Sequence, residues 1–177
     1  MKTYPLIDET KREKKTDDWL TPPHLIEKLG PFDLDPCASV GQPWRTAAEQ
    51  WTIQDGDSLY RAWPKEKLFF CNPPFGDTIG DFVRKCADHG HGILLCPAKT
   101  EIRWFRPIWE KADAILFTHE RLMFYYAKTG QLCKNKWYGY VIAGFGQEAA
   151  GRLLTAGIQG TLVTSWKHQP NGWKINR

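Results

Sequence analysis

Apolar residues along this chain gather in short runs that alternate between two spacings. Phe32-Asp33-Leu34-Asp35, Leu68-Phe69-Phe70-Cys71, Gly92-Ile93-Leu94-Leu95-Cys96, Ala114-Ile115-Leu116-Phe117 and Tyr140-Val141-Ile142-Ala143 have the length and composition of buried strands. Pro36 ends the first run, and Asn72-Pro73-Pro74 halts the second. Between the strands the period changes. Ile79, Phe82, Val83, Cys86 and Ala87 fall on one face of a helix that stops at the glycines flanking His91. An earlier helix is predicted over 22–29, with Thr21 as its N-cap, Pro22 at its first position and Gly30 as its stop. Further helical pieces are predicted over 102–111, kinked or restarted at Pro107, and over 147–156, closed by Gly157. Short strands alternating with amphipathic helices predict an α/β fold, with a mostly parallel central sheet flanked by helices. Ligands of such sheets sit beyond the carboxyl ends of the strands, where both Asp35 and Asn72 fall.

The 177 residues suit one core rather than two. Residues 1–15, ending in Lys11-Arg12-Glu13-Lys14-Lys15, lack apolar period and read as a loose basic arm; 16–163 read as the domain and 164–177 as a polar tail. Trp166 and Trp173 in that tail are candidate packing anchors. With 42% hydrophobic and 25% charged residues, disorder throughout is excluded. A net charge of +4 permits a polyanionic partner without demanding one. Five cysteines, an odd number without paired spacing, argue for reduced thiols, and Cys86 with His89 and His91 has no second pair at zinc spacing, so no metal is expected. No stretch reaches membrane-spanning length and the start is polar, so a cytoplasmic protein without membrane contact is expected.

Cys71-Asn72-Pro73-Pro74-Phe75, set between a strand and a helix, carries the most specific chemistry. An aromatic exocyclic amine is a poor nucleophile because its lone pair is delocalised into the ring. A carboxamide oxygen and a backbone carbonyl that each accept one N–H favour a tetrahedral nitrogen and stabilise the developing charge. Asn72 supplies the first acceptor and Pro73 can supply the second, on a backbone that two prolines hold rigid. Phe75 offers a face for a base to stack on. Asn-Pro-Pro alone is also a turn sequence; the strand before it and the aromatic after it favour the chemical reading. Pro36-Cys37 could instead place a thiolate for attack on cytosine, but that chemistry wants a Glu-Asn-Val partner, which is absent.

The stretch 121–137 interleaves Arg121, Lys128, Lys134 and Lys136 with Phe124, Tyr125, Tyr126 and Trp137. Cations neutralise phosphates while aromatics pack or stack, so this is a candidate DNA-contacting surface, with a solvated hairpin as the alternative. Lys99, Arg103 and Arg106 can extend the same face.

Asn72-Pro73-Pro74-Phe75 resembles the catalytic motif of the amino-methyltransferases. More closely, the chain resembles the phage-type, Dam-like DNA N6-adenine methyltransferases, small single-domain proteins of bacteriophages and prophages. The resemblance runs through Asp18-Trp19-Leu20-Thr21-Pro22-Pro23, Asp33-Leu34-Asp35-Pro36-Cys37-Ala38-Ser39, Asp57-Ser58-Leu59 with Trp63, the Asn72 motif, Leu95-Cys96-Pro97-Ala98-Lys99-Thr100 and Arg121-Leu122-Met123-Phe124. It implies a Rossmann-like, S-adenosylmethionine-dependent fold that methylates N6 of a flipped adenine in double-stranded DNA, in the cytoplasm of a bacterial host and in a restriction-modification setting. By position, Asp35, Pro36, Cys37 and Ala38 would form the cofactor loop, and Trp19, Thr21 and Pro22 would close over the methionine end. Asp57 would reach the cofactor's adenine. Asn72, Pro73, Pro74 and Phe75 would hold the target base, with Asn72 also facing the cofactor. On the basic and aromatic pattern described above, rather than on the resemblance, Lys99, Arg103, Arg121, Lys134, Lys136 and Trp137 would face DNA. Ser39-Val40-Gly41 replaces the usual glycine run, and the stretch from Gly41 to Asp57 is short for a helix and a strand. The ribose-binding carboxylate therefore stays open among Glu49, Asp55 and Asp57. RNA or a protein glutamine as substrate, and a nucleic-acid-binding module without turnover, are the alternatives.

Overall fold

Alternate residues of a strand point to opposite faces of its sheet, and here that alternation sorts the helices into two layers. The computed structural model describes residues 19–133 and 139–166. Its strands are β1 (Trp19–Leu20), β2 (Leu34–Asp35), β3 (Glu49–Gln50), β4 (Phe69–Cys71), β5 (Gly92–Pro97), β6 (Ala114–Thr118), β7 (Tyr125–Tyr126), β8 (Tyr140–Phe145) and β9 (Gly160–Val163). Its helices are α1 (Pro23–Leu29), α2 (Ile79–His89), α3 (Arg106–Lys111) and α4 (Gln147–Thr155). Phe69, Cys71, Leu94, Cys96, Ile115, Val141 and Ala143 meet Phe82, Val83 and Cys86 of α2 and Ile108 of α3 on one face. The residues between them, Phe70, Ile93, Leu95, Ala114, Leu116 and Ile142, meet Leu25, Ile26 and Leu29 of α1 and Ala149 and Leu153 of α4 on the other. The result is a three-layer α/β sandwich.

The central sheet runs β3-β2-β4-β5-β8-β6-β9. The first three pairings are parallel, and the last three, each involving β8 or β9, are antiparallel. The sheet is therefore mixed rather than mostly parallel. β8 returns from β7 as an antiparallel strand slotted between β5 and β6, and β9 closes the edge in the same sense as β8. A second ribbon pairs β1 with β7, opposing Trp19 to Tyr126 and Leu20 to Tyr125.

Helix α2 ends where predicted, at Gly90 in the left-handed region (φ 77°), with its N–H on the Cys86 carbonyl. Gly92 opens β5 because β4 lies too close for a side chain: a Cβ there would sit 2.4 Å from the Phe69 carbonyl oxygen. The stretch 102–111 divides into a 3-10 turn at Arg103–Phe105 and then α3, so the restart precedes Pro107 by one residue. Thr21 is not the cap of α1. Pro22 holds that position with φ −61° and ψ 138°, a residue with no side-chain acceptor to cap the helix, and the Thr21 hydroxyl pairs with Asn72 instead.

Candidate active site

The chain leaves β2 to form β3 on one side and then returns to lay β4 on the other, so strand order reverses between β2 and β4. Such a reversal parts the loops at the carboxyl ends of the two strands and opens room for a ligand. Asp35 closes β2 and Asn72 follows β4, which puts the two chemical motifs on either side of that point. They are near neighbours: Cys37 Sγ lies 3.6 Å from Cys71 Sγ. This is a thiol contact, not a bond, and none of the five cysteines forms a disulfide. Burial pushes the Cys37 and Cys71 thiols well above the ordinary thiol range, so neither is a ready thiolate nucleophile.

The Asn72 carboxamide is held by its nitrogen alone. Nδ2 donates to the Trp19 carbonyl oxygen at 3.0 Å and to Thr21 Oγ1 at 3.1 Å. Both amide hydrogens are thus engaged, while Oδ1 is buried and accepts no hydrogen bond among the described residues. Pro73 beside it is buried, Pro74 is exposed, and Phe75 is half-buried. The Phe75 ring is flanked by Phe124, at 6.4 Å and nearly perpendicular, and by Tyr140 at 6.0 Å.

Asp35 is only 4% exposed. One carboxylate oxygen accepts from the Cys37 N–H at 2.9 Å and the other from the Thr46 hydroxyl. Burial raises its pKa to about 6, against the pull of those two donors, and no cation pairs with it among the described residues. The loop 36–48 has no helix. Gln42 organises it instead, accepting from the Ser39 N–H at 3.1 Å and donating to the Trp44 carbonyl at 3.0 Å and to Thr46 Oγ1 at 3.2 Å. Trp44 Nε1 in turn donates to the Thr21 carbonyl at 2.9 Å. Gln42, Trp44 and Thr46 lie in a stretch with no apolar period, so no local pattern in the sequence marks them.

The three candidate ribose carboxylates differ in what already holds them. Glu49 accepts from Trp51 Nε1 at 2.5 Å and pairs with Lys67. Asp55 accepts from the Thr52 N–H and hydroxyl, both at 2.8 Å, in a capping box. Asp57 is exposed and uses one oxygen to accept the Leu59 N–H at 2.9 Å. Ser58 beside it hydrogen-bonds Cys37, which brings this loop to the tip of β2.

Of the basic and aromatic candidates, Lys99 lies just past the carboxyl end of β5, Arg103 is exposed on the 3-10 turn, and Arg121 and Lys128 are exposed. The described aromatics of this stretch pack against other rings. Tyr126 lies 5.0 Å from Trp19, Tyr125 lies 5.2 Å from Trp44, and Phe124 is buried 5.0 Å from Tyr140. Lys134, Lys136, Trp137, Trp173 and the arm 1–15 lie outside the described residues. Trp166 does pack, donating to the Trp109 carbonyl at 2.7 Å. Among the described residues no three His, Cys, Asp or Glu side chains converge as a metal site, and no helix is long and apolar enough to cross a membrane.

Fold and site together define a three-layer α/β protein whose switch point is flanked by a buried carboxylate and an oriented, half-satisfied carboxamide. The chain belongs to the DNA N-6-adenine-methyltransferase (Dam) family, whose sequence profile matches residues 8–147. A DNA N-6-adenine-methyltransferase of Escherichia phage T1 is 31% identical to it over 109 residues, which is 57% of this chain and 44% of that relative. The chain thus matches less than half the length of the phage T1 protein. No solved structure matches it.

Proposed function

We propose that this chain transfers a methyl group from S-adenosylmethionine to N6 of a flipped adenine in double-stranded DNA. The observation that carries the reading is the Asn72 carboxamide, whose nitrogen is tied back to Trp19 and Thr21 while its buried oxygen lacks a donor among the described residues. An unpaired buried acceptor costs about 1–3 kcal/mol, so a fold that keeps one oriented there has a use for it. An amine N–H is the donor that acceptor fits.

The residues around the strand tips also fit the cofactor. Asp35 is a buried carboxylate without a cation among the described residues, set against the backbone N–H of Cys37, and a cationic ligand would complete it. When bound, S-adenosylmethionine supplies an electrophilic methyl group on a sulfonium. Asp35, Pro36, Cys37 and Ala38 would hold it, with Asp57 toward its adenine ring; Asp57 is also the least committed of the three candidate ribose carboxylates. Asn72 Oδ1 would accept one N6–H and the Pro73 carbonyl the other, holding the amine protons where positive charge develops. Phe75 would stack on the base, and the base must leave the duplex to reach it. Lys99, Arg103 and Arg121, with Lys134, Lys136 and Trp137, would face the phosphates. The strand reversal at β2 and β4 supports a Rossmann-like methyltransferase fold over 16–163, between the basic arm and the polar tail.

The test is incubation with labelled cofactor and unmethylated DNA, followed by nucleoside analysis. The native chain is expected to yield N6-methyladenine, and Asn72→Ala about a hundredfold less or lower. Label in methylcytosine, in RNA or in protein would overturn the assignment.

A further inference from the structure

A carboxamide is nearly symmetric in shape but not in chemistry. Turned by half a revolution, Asn72 would offer two N–H donors to an amine that needs acceptors. Something must therefore select one orientation. The Trp19 carbonyl can only accept, so it opposes the turned amide, in which two oxygens would face each other. That bond engages one of the two amide hydrogens. The second goes to Thr21 Oγ1.

We propose that Thr21 is a positioning residue whose hydroxyl fixes the plane of the Asn72 carboxamide, while the Trp19 carbonyl sets its sense, keeping Oδ1 toward the target amine. This rests on the methyltransferase reading above and assigns Thr21 a role apart from cofactor contact. Three observations support it. Thr21 is 3% exposed and stands one residue before the N-cap of a helix that no side chain caps, so its hydroxyl does not serve α1. Its backbone is anchored on both sides. Trp44 Nε1 holds its carbonyl at 2.9 Å, β1 before it pairs with β7, and Pro22 after it restricts the chain. The hydroxyl is thus placed before any ligand arrives, as a positioning group must be.

The experiment compares the full-length native chain with Thr21→Val and Thr21→Ser, measuring turnover on DNA, cofactor affinity by tryptophan fluorescence, and melting temperature. A native chain that makes no N6-methyladenine would defeat the underlying reading, not the positioning step. Given native activity, Thr21→Val is expected to lower kcat about tenfold, the value of one hydrogen bond, with cofactor affinity within about twofold of native. Thr21→Ser, which keeps the hydroxyl, is expected to recover most of that loss. A Thr21→Val chain as fast as native, or one that weakens cofactor binding at unchanged kcat, would overturn the proposal, as would a Thr21→Ser chain no faster than Thr21→Val. Should Thr21→Val fail to fold, the native protein supplies its own reading. The Asn72 side-chain NH2 signals, assigned by their loss in Asn72→Ala, are expected to exchange with deuterium at least about tenfold more slowly than a free amide. Exchange at the free rate would overturn the proposal by itself.

Discussion

The buried Asp35 carboxylate accepts a hydrogen bond from the Thr46 hydroxyl, eleven residues further along the chain. Thr46 also accepts from Gln42, so the tip of β2 and the irregular loop after it form one hydrogen-bonded unit around a single anionic group. That group sits in a low-dielectric setting without a cation among the described residues, and its pKa of about 6 reports the mismatch.

A cationic ligand requires the ionised form of Asp35, so affinity should follow its titration. Cofactor affinity is expected to be flat above pH 7 and to weaken below pH 6, approaching tenfold per unit as the carboxyl protonates. Asp35→Asn should bind weakly at every pH, with no such slope. Fluorescence titrations between pH 5 and 8 check this. A native curve that stays level through pH 5 would remove Asp35 from the cofactor site.

The same shift has a consequence for stability. Because the folded pKa is raised from 3.8, the stabilisation associated with Asp35 is fully present below pH 3.8 and is lost as pH rises through 6. At pH 7.5 the ionised carboxylate is therefore a cost, of order 3 kcal/mol from a shift of about two pKa units. Asparagine can still serve the Cys37 N–H and the Thr46 hydroxyl. Asp35→Asn is accordingly expected to melt higher than native at pH 7.5, and the gap should narrow by pH 5. Equal melting temperatures at pH 7.5 would contradict the assigned burial cost.

Asn72→Asp separates orientation from charge. A carboxylate there would set an oxygen against the Trp19 carbonyl where Nδ2 now donates. Turnover at pH 8 is expected to fall about a hundredfold or more. It should recover partly toward pH 6, because a protonated carboxyl can donate to that carbonyl as the amide does. A rate–pH profile parallel to native would show that the Trp19 contact does not set the sense of the side chain.

The strands were legible from the sequence wherever burial on both faces made them continuous apolar runs, as at Phe69–Cys71 and Ala114–Thr118. What escaped notice lacked that signature. Glu49–Gln50 is polar, and Gly160–Val163 is an edge strand of mixed exposure. The Trp19–Leu20 and Tyr125–Tyr126 ribbon joins segments over a hundred residues apart, a pairing no local pattern encodes. Thr21 shows the limit for the site. Ser, Thr, Asp or Asn before a helix reads locally as a cap, and only the tertiary partner, 51 residues away, redirects the hydroxyl to Asn72. Asn72 itself was legible, because two prolines after an apolar strand fix its place whatever surrounds it.

His89 should set the acid limb of stability. It is 9% exposed at the end of α2, and its Nε2 donates to the Pro64 carbonyl at 2.9 Å while Nδ1 is buried without a partner among the described residues. Burial lowers its pKa from 6.5; the Pro64 carbonyl and Glu66 oppose that shift, and Lys65 and His91 add to it. For a base with a lowered folded pKa, stability is present above pH 6.5 and is lost as acid titrates the ring. Asp35 changes in the opposite sense over the same window, so the two effects mask each other in the native chain. The comparison is therefore made between Asp35→Asn and the Asp35→Asn, His89→Gln pair, glutamine keeping a donor for Pro64 without taking up a proton. Urea unfolding at pH 7.5, 6 and 5 should show the single variant losing stability relative to the pair as pH falls. Two curves that run parallel across that range would mean His89 titrates alike in the folded and unfolded chain.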